Sequence, residues 1–249
     1  MDKVMLGALS TMQETGFYDN ADKIINVPLG LITALGTVML PRMANLYSSG
    51  NKETFDRYMC ISMEFVCFIS IAMMFGISGI ATEFVPLFFG IQFVGIEKII
   101  AIVAPTIIFI SWANVIRTQY LIPLHYDTIF INSVWIGAIV NMIINAFLIP
   151  RYASKGAALG TLFAEFTVAL YQTICIRKKL PIISYIKNGV FYFISGIIMY
   201  IFIRITALFN GSSGIFQVAI EIGIGALVYL LLCIPYIWYK HKNIIRELL

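Results

Sequence analysis

Runs of apolar, uncharged residues, each about 20 residues long, alternate along this chain with short polar connections. At 1.5 Å per residue, a run of that length covers roughly the 30 Å apolar thickness of a bilayer. Each run is therefore expected to be a membrane-spanning helix. The pattern predicts seven whole helices, over residues 20–40, 59–80, 98–121, 128–149, 156–176, 188–208 and 215–238. An opening fragment, 1–10, has the character of the tail of a further helix. Short connections make sequential helices antiparallel neighbours. The expected fold class is all-α: a polytopic membrane helix bundle forming a single membrane domain, 1–249.

Between Gly16 and Arg42, turn-forming and charged residues (Gly16, Asp19, Asn20, Asp22, Lys23) precede an uncharged run from Ile24 to Leu40, which Pro41 and Arg42 are expected to close. Gly30, Ala34 and Thr37 recur at helical spacing, a row of small side chains that lets a neighbouring helix approach closely in lipid. Pro28 predicts a break in backbone hydrogen bonding that needs a protein or water partner. Thr82 to Gly95 is aromatic and apolar and contains Pro86; it is expected to lie along the membrane interface, either as an outer gate or as an anchor of Phe side chains.

Composition supports membrane residence independently. The chain is 60% hydrophobic and 12% charged, with a mean hydropathy of +0.89. A soluble domain carries about 25% charged residues. The net charge of +4 does not indicate nucleic acid, because the basic residues sit between apolar runs. Asp2-Lys3 directly after Met1, with few apolar residues following, is unlike a secretory signal. Cys60, Cys67, Cys175 and Cys233 lie in apolar runs without CxxC or Cys/His spacing. They are expected to be buried small hydrophobes, and neither metal nor cofactor is expected.

Assigning alternate connections to the two sides puts Arg42, Lys52, Arg57, Arg117, Arg177, Lys178, Lys179, Lys187, Lys240, Lys242 and Arg246 together. Lys3, Lys23, Lys98, Arg151, Lys155 and Arg204 fall on the other side. Eleven basic residues against six orient the first set, and the carboxyl terminus, to the cytoplasm.

Polar residues inside apolar runs are the informative ones. Asn141 and Asn145, four apart, share a helix face; Thr161 and Glu165 do so on the next helix. Two readings stand for Asn141, Asn145 and Glu165: a polar cavity surface, or hydrogen bonds between packed helices. Arg117 follows Asn114 by three residues near the end of its helix, where a guanidinium either holds a phosphate bidentately or snorkels to the head groups. Asp2 and Lys3, being adjacent, point different ways. Arg204 and Glu221 are expected at matched depth in the last hairpin, as a structural ion pair. His125 and His241 sit at cytoplasmic helix ends, and no nucleophile–base arrangement indicates an enzyme.

Two blocks carry a family resemblance. The first comprises Asp2 to Gly7, Gly16 to Ala21, Lys23-Ile24 and Val38 to Met43; the second is NAFLIPRYASKGAALGTLFAE, Asn145 to Glu165. Together they resemble bacterial polysaccharide flippases of the Wzx type, in the multidrug/oligosaccharidyl-lipid/polysaccharide exporter superfamily, from Asp2 to about Lys178. Ala153-Ser154 stands where members often carry Tyr-Gly. The resemblance implies the carboxyl-terminal half of a pseudo-symmetric transporter of 12–14 helices in the bacterial cytoplasmic membrane. It implies flipping of a polyprenyl-pyrophosphate-linked oligosaccharide for O-antigen or capsule assembly, with membrane lipid and a missing amino-terminal half as partners. A proton or sodium ion would couple transport. The first helix lines the central cavity in this family, with Lys3 expected to face it; Lys3, Arg117 and Arg42 are then the basic residues expected to reach the substrate. The alternatives are a drug or cation antiporter of the same superfamily, which favours buried carboxylates, and a polymerase or ligase of polysaccharide assembly, which calls for a large outer loop.

Overall fold

The computed structural model describes residues 1–209 and 214–248, with side chains through Lys240. Among the described residues the regular elements are all helical: α1 (Asp2–Leu9), α2 (Met12–Ser48), α3 (Lys52–Phe88), α4 (Ile96–Val103), α5 (Thr106–Ile116), α6 (Asp127–Ile176), α7 (Ile182–Phe209) and α8 (Ile215–Leu248), with a 3₁₀ turn at Ile91–Phe93 and a π-helical turn at Arg117–Leu121. Six stretches among the described residues are long and apolar enough to cross a membrane: α2, α3, α6, α7, Ile96–Leu121 and Ile215–Lys240. The protein is an all-α polytopic membrane bundle. The side chains of His241, Lys242 and Arg246, two of which enter the charge bias, lie outside the described residues.

α2 differs from the expectation at both ends. Gly16 to Lys23 is helix rather than turn, and Pro41 lies inside the helix instead of ending it. Thr11 starts the helix earlier: its Oγ1 accepts the Glu14 N–H at 3.3 Å as an N-cap. At 37 residues, α2 is about 55 Å long and outreaches the apolar layer. The Thr82–Gly95 segment also differs, because α3 continues through Pro86 to Phe88. Phe84 and Phe88 stack there one turn apart, with centroids 5.1 Å apart.

The expected helix over 98–121 is one span in three parts. Pro105 lacks an N–H and separates α4 from α5. Thr106 donates its hydroxyl to the Val103 carbonyl at 2.6 Å, satisfying one acceptor that the break exposes. At the far end Ile122 N–H reaches back to the Arg117 carbonyl at 3.0 Å, five residues away, which makes the π turn.

α6 is 50 residues long, about 75 Å if straight, and folds back at Ala153 (φ 48, ψ −126). Its two arms, 127–152 and 154–176, pack against each other: Gln172 Nε2 donates to Ser133 Oγ at 2.9 Å. Gly137 sits against Val168, and Gly160 against the Asn145 side chain. The paired numbers sum to the same value, as an antiparallel hairpin with one tight turn requires. Glu14, in the first turn of α2, clasps that turn by accepting from the Ser154 N–H at 3.1 Å and from its hydroxyl.

Two apolar clusters fill the bundle. The larger joins α2 to α5 with Leu6 of α1 and Ile149 and Ile176 of α6; the smaller, Cys67, Ile71, Tyr192, Met199, Ile203, Tyr229 and Cys233, lies between α3, α7 and α8. The expected Arg204–Glu221 pair does not form. Arg204 instead crosses to α3, where Nη1 lies 3.0 and 2.9 Å from the two carboxylate oxygens of Glu83. Helix depth matched Arg204 to Glu221, but the direction of the long side chain toward α3 decided the partner.

Candidate functional site

α1 is wedged between α2 and the α6 hairpin, and that position sorts its two charged residues. Successive residues of a helix point about 100° apart. Asp2 therefore meets α6, where its Oδ1 accepts from Asn141 Nδ2 and Asn145 Nδ2, each at 2.7 Å. Lys3 meets α2 instead, with Nζ 2.6 Å from Asp19 and 3.0 Å from Asp22. Lys23 completes this surface cluster at 2.6 Å from Asp19. The expectation that Lys3 would face the cavity is thus corrected: Asp2 takes that place.

A cavity of about 430 Å³ opens between α1, α5, the π turn and both arms of α6. Its polar lining is Asp2, Asn114, Arg117, Asn141, Glu165 and Gln172, with Thr161 beside Asp2. The arrangement is graded. At one end, Asn145 donates also to Asn141 Oδ1 at 3.1 Å, and Thr161 shares a hydrogen bond with Tyr18 at 2.7 Å. At the other end stands Arg117, its Cζ 5.5 Å from the Phe130 ring centroid. Phe130 and Asn141 are eleven residues apart on one arm, so acid and base are separated by about 16 Å along the helix. Glu165, opposite position 140 in the hairpin register, lies toward the Asp2 end, half-buried, with no hydrogen bond or ion pair among the described residues.

Two buried oxygens on lining residues, Asn114 Oδ1 and Gln172 Oε1, have no protein partner. Buried polar atoms are normally satisfied, so their grouping around one space marks a place where water or a ligand completes them. Gly36 of α2 lets α5 close on this site, since a Cβ there would stand 2.6 Å from Asn114 Oδ1.

The structure therefore brings Arg117, Asn141 and Glu165 to the cavity and sets Asn145 beneath Asn141 on Asp2. It keeps Lys3 and Arg42 away. Arg42 is exposed and stacks 4.1 Å over the Tyr58 ring, bonding its hydroxyl. Asp2, Asn114 and Gln172 were not singled out from the sequence. Asp2 had a readable signal, because two asparagines four apart on an apolar helix need a shared partner. Among the described residues no three His, Cys, Asp or Glu side chains gather as a metal cluster. The Asp2 cluster offers one carboxylate among amide and hydroxyl oxygens, a donor set suited to a hard monovalent cation or a proton.

A family model described as Lipid II flippase MurJ matches residues 8–231. The chain belongs to the lipid II flippase MurJ family. It is 25% identical over 217 residues to the lipid II flippase MurJ of Bacillus subtilis (strain 168), an alignment that covers 83% of this chain and 40% of that protein. It is 24% identical over 253 residues to a probable low-salt glycan biosynthesis flippase, Agl15, of Haloferax volcanii, covering 99% of this chain and 52% of the relative. A solved structure of a lipid II flippase MurJ in an inward closed conformation superposes with a TM-score of 0.77 at 20% identity, over 93% of this chain and 48% of that one. At that identity the likeness is one of fold. The chain spans about half or less of the length of these relatives. The names of these relatives describe flippases.

Proposed function

We propose that the chain is the cavity-bearing half of a flippase that carries a polyprenyl-pyrophosphate-linked saccharide across the cytoplasmic membrane. The observation that carries this is the graded cavity, with Arg117 at one end and unbonded polar atoms along its wall. An amphiphile with an anionic pyrophosphate and a polar glycan needs a hydrated, partly cationic space, while its lipid tail can stay in the bilayer. Arg117 is the phosphate contact, because a guanidinium presents two parallel donors to phosphate oxygens. Asn141 and Glu165 line the sugar path. The Asp2–Asn141–Asn145 cluster holds the coupling ion, a proton or sodium. Lys3 and Arg42 are left out of the substrate path. The other half of the transporter and the surrounding lipid complete the cavity, with the carboxyl terminus cytoplasmic.

Two saccharide classes fit this reading, the lipid II named for the Bacillus relative and a surface polysaccharide repeat unit as in Wzx-type flippases. The glycan-biosynthesis relative favours the second, since it aligns over 99% of this chain. The decisive experiment is Arg117→Ala in the full-length protein, assayed as flipping of a fluorescent lipid-linked saccharide in proteoliposomes. Loss of a charge-assisted contact of about 1.5–3 kcal/mol lowers the rate on the order of ten- to a hundredfold. Arg117→Lys rescues in part, keeping charge but not the fork. Normal flipping by Arg117→Ala, with transport abolished in Glu165→Gln, would favour instead the antiporter that an unpaired cavity carboxylate suggests.

A further inference from the structure

Away from the cavity, three charged residues meet where α3 and α7 end and α8 begins. Arg204 of α7 is committed twice: it binds Glu83 of α3 at 2.9 Å and the Gly79 carbonyl at 3.0 Å. Glu221 of α8 is fully buried, and neither of its carboxyl oxygens has a hydrogen-bond partner. The charges that act on it are Glu83 from α3 and Arg204 from α7, and the Gln217 amide, one turn earlier on its own helix, is the uncharged group that favours the ionised form. One guanidinium thus stands among two carboxyl groups, and Glu83 already holds it.

A buried carboxylate without a cation of its own, inside a membrane-spanning segment and with only the Gln217 amide beside it, is a costly arrangement when ionised. A second carboxylate nearby adds like-charge repulsion. The trio becomes neutral when one carboxyl group carries a proton, and the group lacking a cation is Glu221. The guanidinium lies against both oxygens of Glu83.

We infer that Glu221 is a proton-binding site, occupied when Arg204 pairs with Glu83. The two carboxyl groups compete for one guanidinium. When the proton leaves Glu221, Arg204 is drawn toward α8 and its hold on α3 weakens, so the seating of the α7–α8 hairpin on α3 follows proton occupancy. This site is separate from the cavity and does not depend on the saccharide.

The test uses dicyclohexylcarbodiimide, which adds to protonated carboxyl groups in apolar surroundings and leaves a stable acylurea. The full-length protein in lipid nanodiscs is treated and the adduct located by peptide mass mapping. The expected result is an adduct at Glu221 and none at Glu83, with the yield falling as pH rises. In Glu83→Gln, Arg204 loses its competitor and turns to Glu221, which then ionises; the adduct at Glu221 is lost although the residue remains. An adduct on Glu83 in place of Glu221, or none on either, overturns the inference. Infrared difference spectra of wild type against Glu221→Gln provide the second measurement. One protonated-carboxyl band should disappear in the variant, and an unchanged band would overturn the inference equally.

Discussion

The cavity wall and the Glu64–Tyr192–Lys240 cluster between α3, α7 and α8 contain the same kinds of residue and use them in opposite ways. Around the cavity, Asn114 and Gln172 keep buried oxygens unbonded, and Glu165 has no partner among the described residues. In the cluster, Glu64 of α3 is bonded by the Tyr192 hydroxyl at 2.8 Å and by Lys240 Nζ at 2.8 Å. Phe68, Tyr192, Tyr229 and Tyr236 fill the space around that pair, with Tyr229 donating to the Phe68 carbonyl at 2.9 Å. A polar group inside a membrane protein is thus structural when its partners come from the chain and functional when they must come from elsewhere. Residue type and hydropathy do not distinguish the two cases; bonding does.

The contrast makes its strongest demand on stability. Glu64 is 7% exposed at its side chain, and Lys240 26%. Losing the Lys240 ammonium removes a charge-assisted contact from the buried Glu64, worth about 1.5–3 kcal/mol. Lys240→Ala should therefore lower the melting temperature of the purified protein sharply. Arg117→Ala, which removes a half-buried cavity residue, should stay within about 0.5 kcal/mol of wild type. Equal losses for the two variants would erase the distinction.

An intermediate effect is expected at the hairpin that supports the cavity. Asn145 donates to Asp2 and to Asn141 from a fully buried position. Asn145→Ala leaves Asp2 with one donor fewer and should cost about 1–3 kcal/mol, read as reduced resistance to thermal denaturation. If stability is untouched, the Asp2 cluster does not hold α1 to α6.

The sequence signals that succeeded were periodic and local. Hydropathy marked an all-helical membrane bundle, and the four-residue spacing put Asn141 with Asn145, and Thr161 with Glu165, on shared helix faces. What the sequence could not show was the identity of the neighbour. Asp2 and Lys3 differ by one position and diverge only because α6 flanks α1 on one side and the acidic face of α2 on the other. Arg204 found Glu83 rather than Glu221 because an arginine reaches across a helix contact, which depth along a hairpin does not encode. Pro41 failed as a stop signal because α2 extends beyond the apolar layer, where its exposed ring and a lost hydrogen bond are tolerated.

The smallest predicted change that a melting curve should resolve concerns Ala153, the residue on which the cavity's two arms turn. Its φ of 48 with ψ of −126 lies in a region that favours glycine, because a Cβ there crowds the backbone. Glu14 supports the strained conformation by accepting both the N–H and the hydroxyl of Ser154. Replacing Ala153 by glycine removes the strain but gives the unfolded chain more freedom, which offsets part of the gain. The balance should favour the variant by about 0.5–1 kcal/mol, a small rise in melting temperature. Ala153→Val should lower it, since a branched side chain is excluded from that region more strongly. The same glycine placed in a Glu14→Ala background should recover part of the loss caused by releasing Ser154. If Ala153→Gly instead lowers the melting temperature in both backgrounds, the turn is not strained, and the alanine methyl contributes packing that outweighs its backbone cost.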